Sequence, residues 1–141
     1  MSKFFLLARI LAIDYGTKRC GFAVTDELQI IANPLETVQT LKLFEFLDAY
    51  LNTNKVVKIV VGKPIRLSGK PSNVESEIVG FIRKFKKHYP EIEVVRENEQ
   101  FTSKLAFNSL LEAGAKKSIR KQKEIVDKIS ATLILQSFLN Q

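Results

Sequence analysis

The chain has 141 residues, enough for one domain that buries roughly two-thirds of its unfolded surface. Its 45% hydrophobic and 26% charged content excludes a disordered or fibrous protein. The lone cysteine, Cys20, excludes an intramolecular disulfide, and a formal net charge of +7 suits a polyanionic partner.

Near the N-terminus, Lys3 followed by FFLLARILAI has the outline of a signal peptide. Arg9 interrupts the apolar run, however, Asp14 ends it, and no small-residue cleavage site follows. The run is also too short to span a bilayer, so we expect a cytoplasmic protein with no membrane partner. Arg9–Asp14 reads as a central strand buried on both faces. The turn YGTKRCG, a second strand from Gly21 to Thr25, a turn at Asp26 and Glu27, and a third strand Gln29–Ala32 before Pro34 complete an antiparallel meander.

Thr37 to about Asn52 has helical spacing, with Leu41, Phe44, Leu47 and Leu51 on one stripe. Val56–Gly62 is a second buried strand, and KPIRLSGKPS is a polar loop. A helix is expected from Asn73, with Val74, Ile78, Phe81, Ile82 and Phe85 at 3–4 spacing, followed by a strand over Ile92–Arg96. Thr102 opens a further helix ending near Gly114, and the basic segment KKSIRKQK leads into a last helix through Leu139. This order predicts one α/β domain over residues 1–141: a mixed five-stranded sheet, three strands of meander plus two parallel strands, flanked by helices.

Three acids stand at informative places. Asp14 ends the first strand, where a turn-capping role competes with metal ligation. Asp127 precedes Ala131, Ile134 and Phe138 by four, seven and eleven residues, so it extends an apolar helical stripe; a helix-dipole contact is the plainer explanation. Glu99 follows the strand IEVVR, with Glu97 as a rival for the same edge. Together they suit a hard cation such as Mg²⁺, which takes oxygen ligands and supports phosphodiester cleavage. The sole histidine, His88, lies in the polar context KKHYPE and is expected at the surface, and no zinc-type Cys/His spacing occurs. Cys20, in an apolar run, is expected to be a buried thiol.

The motifs AIDYGTKRCGFAVTD, IVVGKPIRLSGKPS, ENEQFTS and VDKISATLILQSFL resemble, in order and over nearly the whole chain, those of the YqgF-type proteins. These are pre-16S rRNA nucleases also described as Holliday junction resolvase-like. The resemblance implies an RNase H-like fold, Mg²⁺ or Mn²⁺ dependence, and catalytic, metal-binding acids at Asp14, Glu99 and Asp127. It also implies a bacterial cytoplasmic role in maturing the 5′ end of small-subunit ribosomal RNA, with ribosomal precursor particles as partners. In the third motif, Asn98 and Gln100 stand where the family has Asp and Arg. Gln cannot replace Arg as a bidentate phosphate clamp, which favours reduced activity or an altered substrate.

Three other functions compete. DYGTKRCG also fits the phosphate-binding hairpin of the sugar kinase and actin group, but those ATPases close two such domains on a nucleotide and this chain has room for one. A non-catalytic nucleic-acid-binding adaptor and a junction resolvase cutting branched DNA are the others. For contacts to structured RNA, the candidates are Lys18 and Arg19 after Asp14, Lys63, Arg66 and Lys70 in the second loop, and Lys121 among Lys116, Lys117, Arg120 and Lys123. No aromatic interleaving accompanies them, so backbone and shape recognition is expected.

Overall fold

The computed structural model describes residues 7–64, 73–99 and 119–141, with side chains omitted for 119–128. The elements are β1 (Arg9–Asp14), β2 (Arg19–Thr25), β3 (Ala32–Gln39), α1 (Leu43–Thr53), β4 (Val56–Lys63), α2 (Glu75–His88), β5 (Glu93–Asn98) and α3 (Ile119–Leu139). The five strands form one sheet in the order β3-β2-β1-β4-β5. β2 pairs antiparallel with β1 and β3, whereas β4 pairs in parallel with β1 and β5. Parallel neighbours need a crossover, and α1 and α2 supply the two. The sheet is therefore the mixed five-stranded one expected.

Between Arg9 and Asp14, β1 is apolar because both its faces are covered. Leu11 and Ile13 join Phe22, Ile59 and Val61 beneath Leu47 of α1 and Ile78, Phe81 and Phe85 of α2. Ile10 and Ala12 face the other way, joining Ala23 and Val60 beneath Ala131, Ile134 and Leu135 of α3. The result is a three-layer sandwich, with each large buried side chain contributing roughly 1.5–3 kcal/mol. Cys20 is buried and His88 exposed, as expected. Among the described residues no helix is long and apolar enough to cross a membrane.

β5 runs two residues beyond the expected Ile92–Arg96, through Asn98, and two other boundaries differ more from the sequence expectation. The third strand is Ala32–Gln39, not Gln29–Ala32. The Asp26 carboxylate accepts the Ile30 and Ile31 amides at 2.8 Å each, and Gln29 turns through φ 60°, so these residues close the hairpin instead of extending the ladder. Pro34 does not end the strand, because β3 lies at the sheet edge where a missing N–H is tolerated. The register skips Leu35 beside it, as a bulge would. Helix α1 accordingly starts at Leu43, not Thr37, after a 3₁₀ turn over Thr40–Lys42. Leu41 falls in that turn and is 98% exposed, so it is no part of the apolar stripe. The helix expected from Thr102 lies outside the described residues.

Candidate active site

β1 delivers Asp14 to the end of the central strand pair. Its backbone neighbours are Gly21 of β2 on one side and, one step beyond the Ile13–Val61 pairing, Gly62 of β4 on the other. Strand alternation from Ile10 and Ala12 turns Asp14 toward the α3 face, where it is only 2% exposed. Gly62, following Val60, is open to the same face. A Cβ added to Gly62 would lie 2.5 Å from Glu99 Oε2 and 2.7 Å from Ile134 Cδ1. The Glu99 carboxylate therefore rests on bare backbone under α3, over the strand next to Asp14, with only 5% of the residue exposed. Adjacent strands are about 4.8 Å apart, so two buried acids converge at one end of one sheet face. The Glu99 amide bonds the Lys63 carbonyl at 3.1 Å, which sets where the chain leaves β5.

Glu97, the rival acid, also lies on this face but is committed elsewhere. Its two oxygens accept Ser137 Oγ and Gln141 Nε2, each at 2.6 Å, so it fastens the end of α3 to β5. Of the pair, Glu99 is the acid seated at Gly62. The backbone of α3 carries Asp127 one turn before Ala131 and two turns before Ile134, on the stripe that packs against β1 and β4. The Asp127 side chain lies outside the described residues. Among the described residues no group of three acids, cysteines or histidines could hold a metal ion. The donor chemistry nevertheless suits one: carboxylate oxygens are the ligands that Mg²⁺ and Mn²⁺ take.

Beneath the cradle, Arg96 of β5 ties the strand ends together. Its guanidinium grips Glu75 in the first turn of α2 at 2.7 and 2.8 Å, and donates to the Gly62 carbonyl at 3.0 Å and the Val61 carbonyl at 3.2 Å. The hydrogen bonds from Arg96 hold the Glu75 carboxyl below its usual 4.5, outweighing partial burial, with further help from the Arg96 and Lys63 charges. The unfolded chain therefore binds this proton at higher pH than the folded one. The stabilisation is complete above the usual carboxylate value and is lost as pH falls through the depressed one. Arg96→Met is expected to cost about 1–3 kcal/mol at neutral pH and to flatten this part of the acid limb. Urea melts of parent and mutant at descending pH check both, and coincident curves would show that the pair adds nothing.

Of the basic candidates, Lys18 is exposed in the β1–β2 turn, Arg19 is half-buried at the start of β2, and Lys63 is exposed at the end of β4. Arg66 and Lys70 lie outside the described residues, and Lys121 is described only in its α3 backbone. Gly62 and Arg96 were missed in the sequence. The Gly-x-Pro run after a buried strand was the available signal for the first, whereas nothing local singled out the second.

A family model described as RuvX, Holliday junction resolvase, matches residues 8–141. A Christiangramia forsetii protein with the provisional name pre-16S rRNA nuclease is 50% identical over 94% of this chain and 98% of its own. Proteins with the same name from Flavobacterium johnsoniae and Bacteroides thetaiotaomicron are 46% and 47% identical, over 95% and 94% of this chain and 97% and 96% of theirs.

Proposed function

Because the chain belongs to the RuvX family of Holliday junction resolvase proteins, enzymes that hydrolyse phosphodiester bonds, we propose that it is a Mg²⁺- or Mn²⁺-dependent nuclease whose substrate is the 5′ end of pre-16S ribosomal RNA. The observation that carries the metal dependence is two buried acids on one sheet face, Asp14 at the end of β1 and Glu99 seated on Gly62 of the adjacent β4, in a protein of net charge +7. Carboxylates withdrawn from water cost several kcal/mol unless charge or hydrogen bonds compensate, and a bound cation is one such compensation. The names of the relatives support the RNA, and a cytoplasmic site of action on ribosomal precursor particles goes with it.

Asp14 and Glu99, with Asp127 from α3, would hold the ion. The chemistry such an ion would supply is activation of water and compensation of charge on the leaving oxygen. The protein's own part is positional. The sheet fixes Asp14 through its strand pairing, the glycine cradle fixes the Glu99 carboxylate, and α3 closes the face against water. Lys18 and Arg19 draw the phosphate backbone to the same end of β1. His88 ends α2 at the surface with Nδ1 at 3.0 Å from the Lys84 carbonyl, so a histidine base has no place in this mechanism.

Junction resolution is the second reading, favoured by the family description itself. Incubating the protein with a 5′-extended 16S rRNA fragment and with a four-way DNA junction, each with Mg²⁺, Mn²⁺ or EDTA, tests both. Metal-dependent cut ends on the RNA alone are expected. Cleavage of the junction alone would replace the first reading by the second, and turnover undiminished in EDTA would remove the metal.

A further inference from the structure

We propose that the cleft beside the β1–β2 turn is a subsite for single-stranded nucleotides flanking the scissile phosphate, with Leu41 as its apolar wedge. The cleft is lined by Thr17, Lys18, Arg19, Thr37, Gln39 and Leu41, among others, and encloses about 670 Å³. That volume lies within the ~300–1,000 Å³ typical of ligand sites and is enough for a nucleotide unit. Two cations and no acid are among its lining residues, so an anion is the occupant the charge selects. A singly exposed leucine is ordinary. Leu41 differs in being 98% exposed on the rim of a cationic cleft, and leucine is a side chain that proteins press against base steps.

The cleft is also built to keep its shape. Thr40, next to Leu41, donates its hydroxyl to the Gly16 carbonyl at 2.7 Å and its amide to the Lys18 carbonyl at 2.9 Å. The Cys20 thiol lies 3.5 Å from the same hydroxyl. A Cβ on Gly16 would lie 2.5 Å from the Arg19 carbonyl oxygen, so only glycine lets the turn close this tightly. The turn that begins at Asp14 is thus clasped to the segment that presents Leu41, which lowers the ordering cost of binding. A strand with its phosphate on Lys18 and Arg19 and its base or sugar against Leu41 would pass directly toward Asp14.

This subsite rests on the nuclease reading, but the two fail separately. Two fluorescein-labelled RNA hairpins, one blunt and one with a six-nucleotide single-stranded tail, are titrated with the full chain in EDTA and followed by anisotropy. Leu41→Ala should weaken the tailed probe by about fivefold and the blunt one hardly at all, and Leu41→Asp should weaken it further. Lys18→Gln should weaken both and lower the slope of log affinity against log salt by about one. Unchanged affinity for the tailed probe in both Leu41 variants would overturn the subsite, as would equal losses on the two probes or failure of the parent to prefer the tail. A preference for the tail that depends on Leu41, in a protein that cuts nothing with Mg²⁺ or Mn²⁺, would sink the nuclease reading and leave the subsite standing.

Discussion

Asp14→Asn is expected to lower metal-dependent cleavage by on the order of 10²–10³-fold or more, while the metal-free protein melts at the same temperature as the parent or slightly above it. The substitution keeps the shape of a side chain that is 2% exposed and removes a charge whose burial opposes folding. If that charge exists to hold a cation, it is useful with the ion bound and costly without it. Nucleic-acid binding in EDTA should persist, because Lys18, Arg19 and Lys63 are untouched. A turn-capping Asp14 predicts the reverse, a less stable mutant that still cuts, and that outcome would end the carboxylate-cluster model. Asp127→Asn, put through the same two measurements, asks whether the third acid belongs to the set.

Gly62→Ala should separate activity from stability in the opposite sense. The new methyl would overlap Glu99 Oε2 at 2.5 Å and Ile134 Cδ1 at 2.7 Å. Both are the far ends of side chains that can rotate, so the fold should lose only about 1–2 kcal/mol. The Glu99 carboxylate, however, has to leave its seat over β4, and a displacement of about 1 Å is enough to cost roughly 10²-fold in rate. Cleavage should therefore fall about a hundredfold with a modest drop in melting temperature. Shortening the other obstacle in a Gly62→Ala, Ile134→Val double mutant should recover stability without activity. If the alanine protein cuts at the parental rate, Glu99 has no part in the chemistry.

Glu97 and Glu99 show where local reasoning stops. Glu97 lies in β5 and Glu99 just beyond it with the same parity, so alternation places both toward α3 and cannot rank them. The difference comes from partners 40 and 44 residues away, Ser137 and Gln141, which engage Glu97, and from the bare Cα of Gly62, which receives Glu99. Arg96 was likewise unremarkable in sequence, because its four hydrogen bonds run to residues on β4 and α2.

Periodicity and buried runs alone determined the strands β1, β2 and β4, the helices α2 and α3, and hence a mixed sheet between helical layers, because apolar spacing is a local property that burial rewards directly. Motif order alone pointed to the family and to Asp14, Glu99 and Asp127 as its acids. Tertiary structure decided what no window of sequence contains. Pro34 lies inside β3 because that strand is at the edge, and Leu41 faces solvent because the chain is still in a 3₁₀ turn there. The seating of Glu99 on Gly62 was decided in the same way, by the register of β4 against β1 and β5. Side-chain direction follows from local repeat, but proximity between strands is set by pairing, and pairing is a contest among distant segments.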